Sequence, residues 1–163
     1  MTRTLILMRH AKSDWANPGL PDHERQLNAR GAGDAPIMGA WLRTNGYLPD
    51  EALCSTAIRT RQTLAGLGFN LSTQYLPALY HAEADHMLEA LQGASGTRVL
   101  MVGHNPGIAE FAAGLLQRAP DHARFADYPT SATLIAAFDI PDWSMLRYGS
   151  GHALAFVIPA DLK

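Results

Sequence analysis

Cysteine is almost missing from this chain. Among 163 residues there is one, Cys54, so no intrachain disulfide and no thiolate metal cluster can form. A reducing compartment is the expected setting. An excess of charge of either sign is missing too. Thirteen Lys and Arg face 15 Asp and Glu, for a formal net charge of -2, where a nucleic-acid footprint would be strongly basic. No apolar run approaches the roughly 20 residues that span a bilayer. Arg3 followed by Leu5-Ile6-Leu7-Met8 starts like a secretory signal, but the run stops at Arg9-His10, short of the about 7–15 apolar residues such a core needs. The expectation is a cytoplasmic protein with no nucleic-acid and no membrane partner. Glycine and proline, 14 and 10 residues, are too few for a low-complexity chain.

What is present suits a packed globule. Apolar residues make up 47%, and the length fits one domain over residues 1–163, since two would leave each too small to bury a good core. Thr4 to Met8 reads as a buried strand. A polar stretch from Ala11 to Gln26 follows, long enough to suggest a functional loop. Asn28 to Thr44 has helical spacing, with Ile37, Met38, Trp41 and Leu42 on its apolar face and Gly46 as a stop. Gly31, Gly33 and Pro36 weaken its first turns. Glu51 to Cys54 reads as a strand and Ser55-Thr56 as the cap of a helix reaching Leu67. Gln74 to Leu76 reads as a third strand and Ala84 to Leu91 as a helix. Arg98 to Val102 is an apolar strand, and Asn105-Pro106 opens a helix with Asn as cap, carrying Ile108, Phe111, Ala112 and Leu115 inward. Thr133 to Phe138, Ser144 to Tyr148 and Ala153 to Ile158 read as strands. Alternating strands and helices, with strands added at the end, predict an α/β fold: a mostly parallel sheet covered by helices on both faces.

In open α/β sheets ligands bind beyond the carboxyl ends of the strands. Here those ends carry Arg9-His10, then Ser55 leading into Ala57-Ile58-Arg59-Thr60-Arg61, then Gly103-His104-Asn105-Pro106-Gly107. Two helix N-termini start at the same edge, and their free N–H groups favour an anion. Arginine adds a planar fork matched to phosphate oxygens. The expected ligand is a phosphoryl group. Neutral imidazole is a competent nucleophile near pH 7, and a second imidazole can donate to the developing charge. Neither metal nor cofactor is needed. Arg59 and Arg61, two apart on a helix, point to roughly opposite sides, so at most one faces the pocket.

Leu7-Met8-Arg9-His10-Ala11-Lys12-Ser13, the segment Cys54 to Thr63, and Val102-Gly103-His104-Asn105-Pro106-Gly107 together resemble the histidine phosphatase superfamily. Within it the chain is similar to the short SixA-type phosphohistidine phosphatases, as are Asp22 to Gly31 and Phe156 to Leu162. The resemblance covers nearly the whole chain in the right order. It implies a three-layer α/β/α sandwich of the phosphoglycerate mutase-like type. It implies His10 as the nucleophile carrying a transient phosphohistidine, Arg9 and Arg59 on the phosphoryl oxygens, and His104 donating to the same group. By position Arg59 is then the pocket arginine and Arg61 the outward one.

Two positions depart from the broad superfamily. Ala11 stands where many members have glycine, and the acidic proton donor that larger members place after the third strand has no clear match. In that region His81 and Glu83 are the candidates, with a solvated helix start as the plainer reading. A missing acid fits phosphohistidine on a protein, because an imidazole leaves phosphorus far better than an alkoxide, which needs a proton. A small phosphorylated substrate, handled by a phosphomonoesterase or a mutase, is the rival enzyme reading. A phosphate-binding module without catalysis is the rival from another class. Trp15 borders the pocket or packs beside it. Asp22, Glu24 and Arg25 tie down the long loop, with Arg25 also able to meet an acidic surface. Cys54 reads as a small buried side chain, and His23, His86, His122 and His152 lack ligand spacing.

Overall fold

The strand β1 (Thr2–Arg9) feeds two apolar cores at once. Successive strand residues point to opposite faces, so Leu5 and Leu7 enter one cluster and Ile6 and Met8 the other, all fully buried. The strand β4 (Arg98–Gly103) divides in the same way, Val99 and Met101 against Leu100 and Val102. Strands buried on both faces carry continuous apolar runs, which is why these two stand out in the sequence. The structure is a computed structural model describing residues 1–163.

Helices cover each face. The helices α1 (Ala29–Thr44) and α2 (Ile58–Leu67) bring Met38, Leu42, Leu64 and Leu67 against Ile6 and Met8. The helices α3 (Ala84–Gln92) and α4 (Gly107–Leu115) bring Met87, Leu91, Ile108, Phe111 and Leu115 against Leu5 and Leu7. Burying each such side chain stabilises the fold by about 1.5–3 kcal/mol. The remaining strands are β2 (Glu51–Ser55), β3 (Ser72–Leu76), β5 (Thr133–Asp139) and β6 (His152–Val157), and the sheet order is β3-β2-β4-β1-β5-β6. From β3 to β1 neighbours are parallel; β5 and β6 pair antiparallel. This is the three-layer α/β/α arrangement with a mostly parallel sheet, and no helix is long and apolar enough to cross a membrane.

The first turns of α1 hold despite their glycines. Asn28 caps them, its side chain accepting from Gly31 N at 2.9 Å. Gly31 is there for contact: a Cβ at this position would sit 2.1 Å from the Lys12 carbonyl oxygen. The loop after β1 therefore packs directly on the helix backbone. Ile37 and Trp41, expected on the core face, are only half-buried; Trp41 leans on Tyr47, with ring centroids 5.7 Å apart.

One expected strand is absent. Ser144 to Tyr148 begins within a short 3-10 turn, Trp143–Met145, and continues as irregular chain. The Asp142 carboxylate accepts from Ser144 N at 2.9 Å, a local bond that competes with sheet pairing. Trp143 is buried, and its indole donates to the Gly96 carbonyl at 2.6 Å. Trp143 and Leu146 are buried as a plug in the core beside α3, while Met145 and Tyr148 are exposed.

Candidate active site

Parallel pairing sets three strand ends side by side. Arg9 of β1 lies in register with Gly103 of β4, and Cys54 of β2 with Val102. The next residues along these strands, His10, His104 and Ser55, therefore emerge at one edge. The His10 amide donates to Gly103 O at 3.1 Å, which extends the ladder past the end of β1. The imidazoles of His10 and His104 face each other with centroids 5.4 Å apart. A pocket of about 250 Å³ opens there, lined by Arg9, His10, Arg59 and His104 together with Asp22, Arg25 and His81.

The hydrogen bonds fix the chemistry of His10. Its Nδ1 lies 2.7 Å from the Ala11 carbonyl oxygen. A carbonyl can only accept, so Nδ1 carries the proton. In the neutral ring Nε2 is then an unprotonated lone pair. Burial first, then the cations Arg9, Arg59 and Arg25, push the His10 pKa down to about 3. His104 is pushed down to about 2, by burial first and then by His10, Arg59 and His81. Both rings are neutral near pH 7 and able to act as nucleophile or neutral donor.

His104 is held by Ser55, whose hydroxyl sits 2.8 Å from Nε2. From the sequence alone, Ser55-Thr56 reads as the cap of α2. Instead Ala57 is the cap residue, without a side-chain bond, and Ser55 ends β2 and secures the histidine. Asn105 likewise does not cap α4. Its side-chain amide donates to the carbonyls of Asp127 and Tyr128, at 2.8 and 3.1 Å, and Pro106 occupies the cap position. The α4 start packs tightly here, since a Cβ on Gly107 would lie 1.9 Å from the Ala82 carbonyl oxygen.

Arg59 is 3% exposed and lines the pocket, whereas Arg61 lies on the exposed side of α2. Arg61 donates to Thr56 O at 3.0 Å and covers the Tyr75 ring at 4.3 Å. Arg9 reaches the Tyr128 carbonyl at 3.3 Å. Several buried nitrogens have no protein partner: Nε of Arg9, Arg25 and Arg59, Nη1 of Arg25 and Nδ1 of His104. A compact oxyanion, with acceptors in several directions, matches the guanidinium donors of this set.

Arg25 and Asp22, which the sequence assigns to the loop, line the pocket as well. Arg25, expected to tie down its loop, does so and also lines the site. It is 6% exposed, pairs with Asp22 Oδ1 at 2.6 Å, and lies 3.4 Å beneath the centroid of the exposed Trp15 ring. Asp22 also accepts from Arg59, whose Nη1 reaches its backbone oxygen at 2.8 Å and Nη2 its Oδ2 at 3.1 Å. Tyr80 donates to the same Oδ2 at 2.5 Å. These partners are 37 and 58 residues from Asp22, and nothing in local spacing marks them. His81 stands at the pocket rim, stacked on Tyr80 at 4.1 Å with Nε2 3.3 Å from Asp22 Oδ2. Glu83 caps α3 and lies in a neighbouring cleft rather than in this pocket. Cys54 is buried, which pushes its thiol up to about 12 and leaves it an inert core side chain.

The depressed histidines predict a pH dependence of stability. An unfolded histidine takes up a proton near pH 6.5, and the folded rings do so only near 3 and 2. The unfolded state therefore binds more protons in between, so stability is full above pH 6.5 and falls as pH drops. Each ring contributes up to about 1.4 kcal/mol per pH unit. From pH 6.5 to 5, before carboxylates titrate, the urea midpoint should fall steadily. The His10→Asn/His104→Asn double variant should show a flatter slope, and an unchanged slope would contradict the neutral burial of both rings.

Comparison with known proteins gives concordant matches. The family model described as the histidine phosphatase superfamily (branch 1) matches residues 5–84. An uncharacterised protein of Mycobacterium tuberculosis is 36% identical over 160 aligned residues, 93% of this chain and 99% of the relative. A structure described as the phosphohistidine phosphatase SixA of Nakamurella multipartitia superposes with a TM-score of 0.85 at 29% identity, covering 98% of this chain and 97% of that one. Its counterpart from Agrobacterium tumefaciens gives 0.78 at 25% identity, covering 96% and 98%.

Proposed function

The chain belongs to the histidine phosphatase superfamily and is a phosphatase, and from that premise we propose that it removes the phosphoryl group from phosphohistidine on a protein, through a phosphohistidine intermediate at His10. The observation that carries the mechanism is the Nδ1 bond of His10 to the Ala11 carbonyl, 2.7 Å. It leaves Nε2 free to attack phosphorus beside three guanidiniums. In this reading Arg9 and Arg59 hold the phosphoryl oxygens, and His104 donates from Nδ1, the nitrogen not engaged by Ser55. Charge on the transferring oxygens is met by positioned donors that need no reorganisation during the reaction. Water then attacks the phosphorylated His10 and restores the imidazole.

The substrate follows from what the pocket offers a leaving group. An alkoxide needs a proton as it departs. The carboxylate in the pocket, Asp22, is held down to about 2 by the Tyr80 hydroxyl and by Arg59 and Arg25, against an opposing effect of burial. It stays ionised and has no proton to give. Of the two sequence candidates for a donor, His81 is at the rim and Glu83 is outside, so His81 is the group that would serve an ester. An imidazole leaves without such help once its second nitrogen is protonated. The small cavity, about 250 Å³, lies below the usual range for sites that enclose a whole small-molecule ligand. A substrate carried on a protein needs only its phosphorylated side chain inside.

A panel of phosphohistidine protein, aryl phosphate and sugar phosphates, run with and without EDTA, tests the proposal. The phosphohistidine protein should show the highest kcat/KM, aryl phosphate should turn over, and sugar phosphates should be slow. Chelation should change none of this, because guanidiniums meet the phosphoryl charge and no three His, Cys, Asp or Glu side chains converge to hold a cation. Fastest turnover of a sugar phosphate would favour the small-molecule phosphatase, and exchange of phosphate between its hydroxyls a mutase. Binding without turnover of any substrate would leave a recognition module.

A further inference from the structure

Asp22 is the one anionic side chain among those lining the catalytic pocket, where Arg9, Lys12, Arg25 and Arg59 supply positive charge. Next to an incoming phosphoryl group a carboxylate is costly, because like charges repel. Yet Asp22 is firmly built in. Oδ1 pairs with Arg25 at 2.6 Å, and Oδ2 accepts from Tyr80 at 2.5 Å and from Arg59 at 3.1 Å. Its side chain is 40% exposed where that of Arg59 is 4%, so it stands at the mouth while His10 lies at the base. Two flat rings share that mouth, Trp15 and His81. A side cavity of about 200 Å³, bounded by Trp15, Leu20, Asp22 and Arg25, opens beside it.

In-line displacement places the leaving group on the side of phosphorus opposite the attacking atom. With His10 at the base, the leaving group points to the mouth, toward Asp22 and the rings. Three guanidiniums that hold a phosphoryl group also oppose any cation arriving with it. A carboxylate at the mouth reverses that for the leaving group alone. We propose that Asp22 is the leaving-group site of this enzyme: its carboxylate accepts the ring N–H of an imidazolium and so selects N-phosphorylated, cationic leaving groups over phosphate esters.

The inference rests on the phosphohistidine reading of the site. The phosphorylated imidazole enters with its second nitrogen protonated and hydrogen-bonded to Asp22. His10 Nε2 forms a bond to phosphorus as the substrate N–P bond breaks. The electron pair of that bond stays on the ring nitrogen, so the imidazolium departs as neutral imidazole with its distal proton in place. No proton is taken from Asp22. An ester behaves in the opposite way, since its oxygen gains negative charge facing a carboxylate. The same residue therefore favours one leaving group and disfavours the other.

The test is Asp22→Asn assayed on free N-phosphohistidine and on p-nitrophenyl phosphate. For phosphohistidine kcat/KM should fall by about 10- to 100-fold, the worth of one charge-assisted hydrogen bond. For the aryl ester it should rise, because the departing phenolate no longer meets a carboxylate. Asp22→Glu, which keeps the charge, should preserve the wild-type preference. Parallel loss on both substrates, or an unchanged ratio, would overturn the role of Asp22 and leave the phosphohistidine reading standing. Failure of the wild-type enzyme itself to cleave phosphohistidine would overturn both.

Discussion

Replacement of His10 by alanine should lower kcat by about 10³-fold or more, the scale seen when a covalent nucleophile is removed. No other imidazole can take its place. The nearest, His104, is 5.4 Å away between centroids and has Nε2 engaged by Ser55. The loss should be chemical and not structural. His10 makes one side-chain hydrogen bond, to the adjacent Ala11 carbonyl, and its replacement removes a buried ring that resists protonation. The urea midpoint at pH 7 should stay near that of wild type. Wild-type enzyme quenched in alkali during turnover should carry an acid-labile phosphoryl label, and the variant none. Near-normal turnover by the variant, or a label that persists in it, would rule out attack by His10.

The second large effect separates two neighbours on α2. Arg59→Ala should cut kcat/KM by about 10²-fold or more, since each charged hydrogen bond to the phosphoryl group is worth about 1.5–3 kcal/mol and arginine offers two. Arg61→Ala should change it by less than about 3-fold, as expected of an exposed cation. Two steps along a helix rotate a side chain by roughly 200°, and the structure shows the outcome: one guanidinium in the pocket, the other over Tyr75. Part of the Arg59 effect will come through Asp22, which loses two of its donors. The Arg59→Ala/Asp22→Asn double variant should therefore fall less than the product of the two single losses on phosphohistidine. A severe Arg61 effect beside a mild Arg59 effect would overturn the assignment of the pocket arginine.

The parts of this molecule that are legible in sequence are those fixed by local pattern. β1 and β4 are continuous apolar runs, and the residues just past their ends are read directly as Arg9-His10 and His104. α4 buries Ile108, Phe111, Ala112 and Leu115 as its spacing predicts. What could not be read depends on contacts made far along the chain. Ser55 resembles a helix cap until His104, 49 residues later, is brought beside it. Asn105 resembles another until the Asp127–Tyr128 backbone arrives. Asp22 and Arg25 look like ordinary loop charges because Tyr80 and Arg59 come from other elements. Ser144 to Tyr148 departs from its expected strand for a related reason. Its alternation suggests a strand, but an Asp142 side-chain bond and a distant carbonyl, Gly96, decide its backbone.

The division of β1 and β4 between two cores has a consequence for how the molecule breathes. Amide hydrogens at the centre of such strands exchange with solvent only when both cores come apart, which means through global opening. His10 and His104 hang from the ends of these two strands, so fraying of β6 or of α3 leaves the pair of imidazoles in register. The loops are different. Asp22 and Arg25 sit on the segment after β1, and Tyr80 and His81 on the segment after β3, joined to the strands by turns and by one another. Local excursions of these two segments can move Asp22 and His81 while His10 and His104 stay in place. Hydrogen exchange should accordingly be slower in the strands that carry His10 and His104 than in the two segments that carry Asp22 and Tyr80.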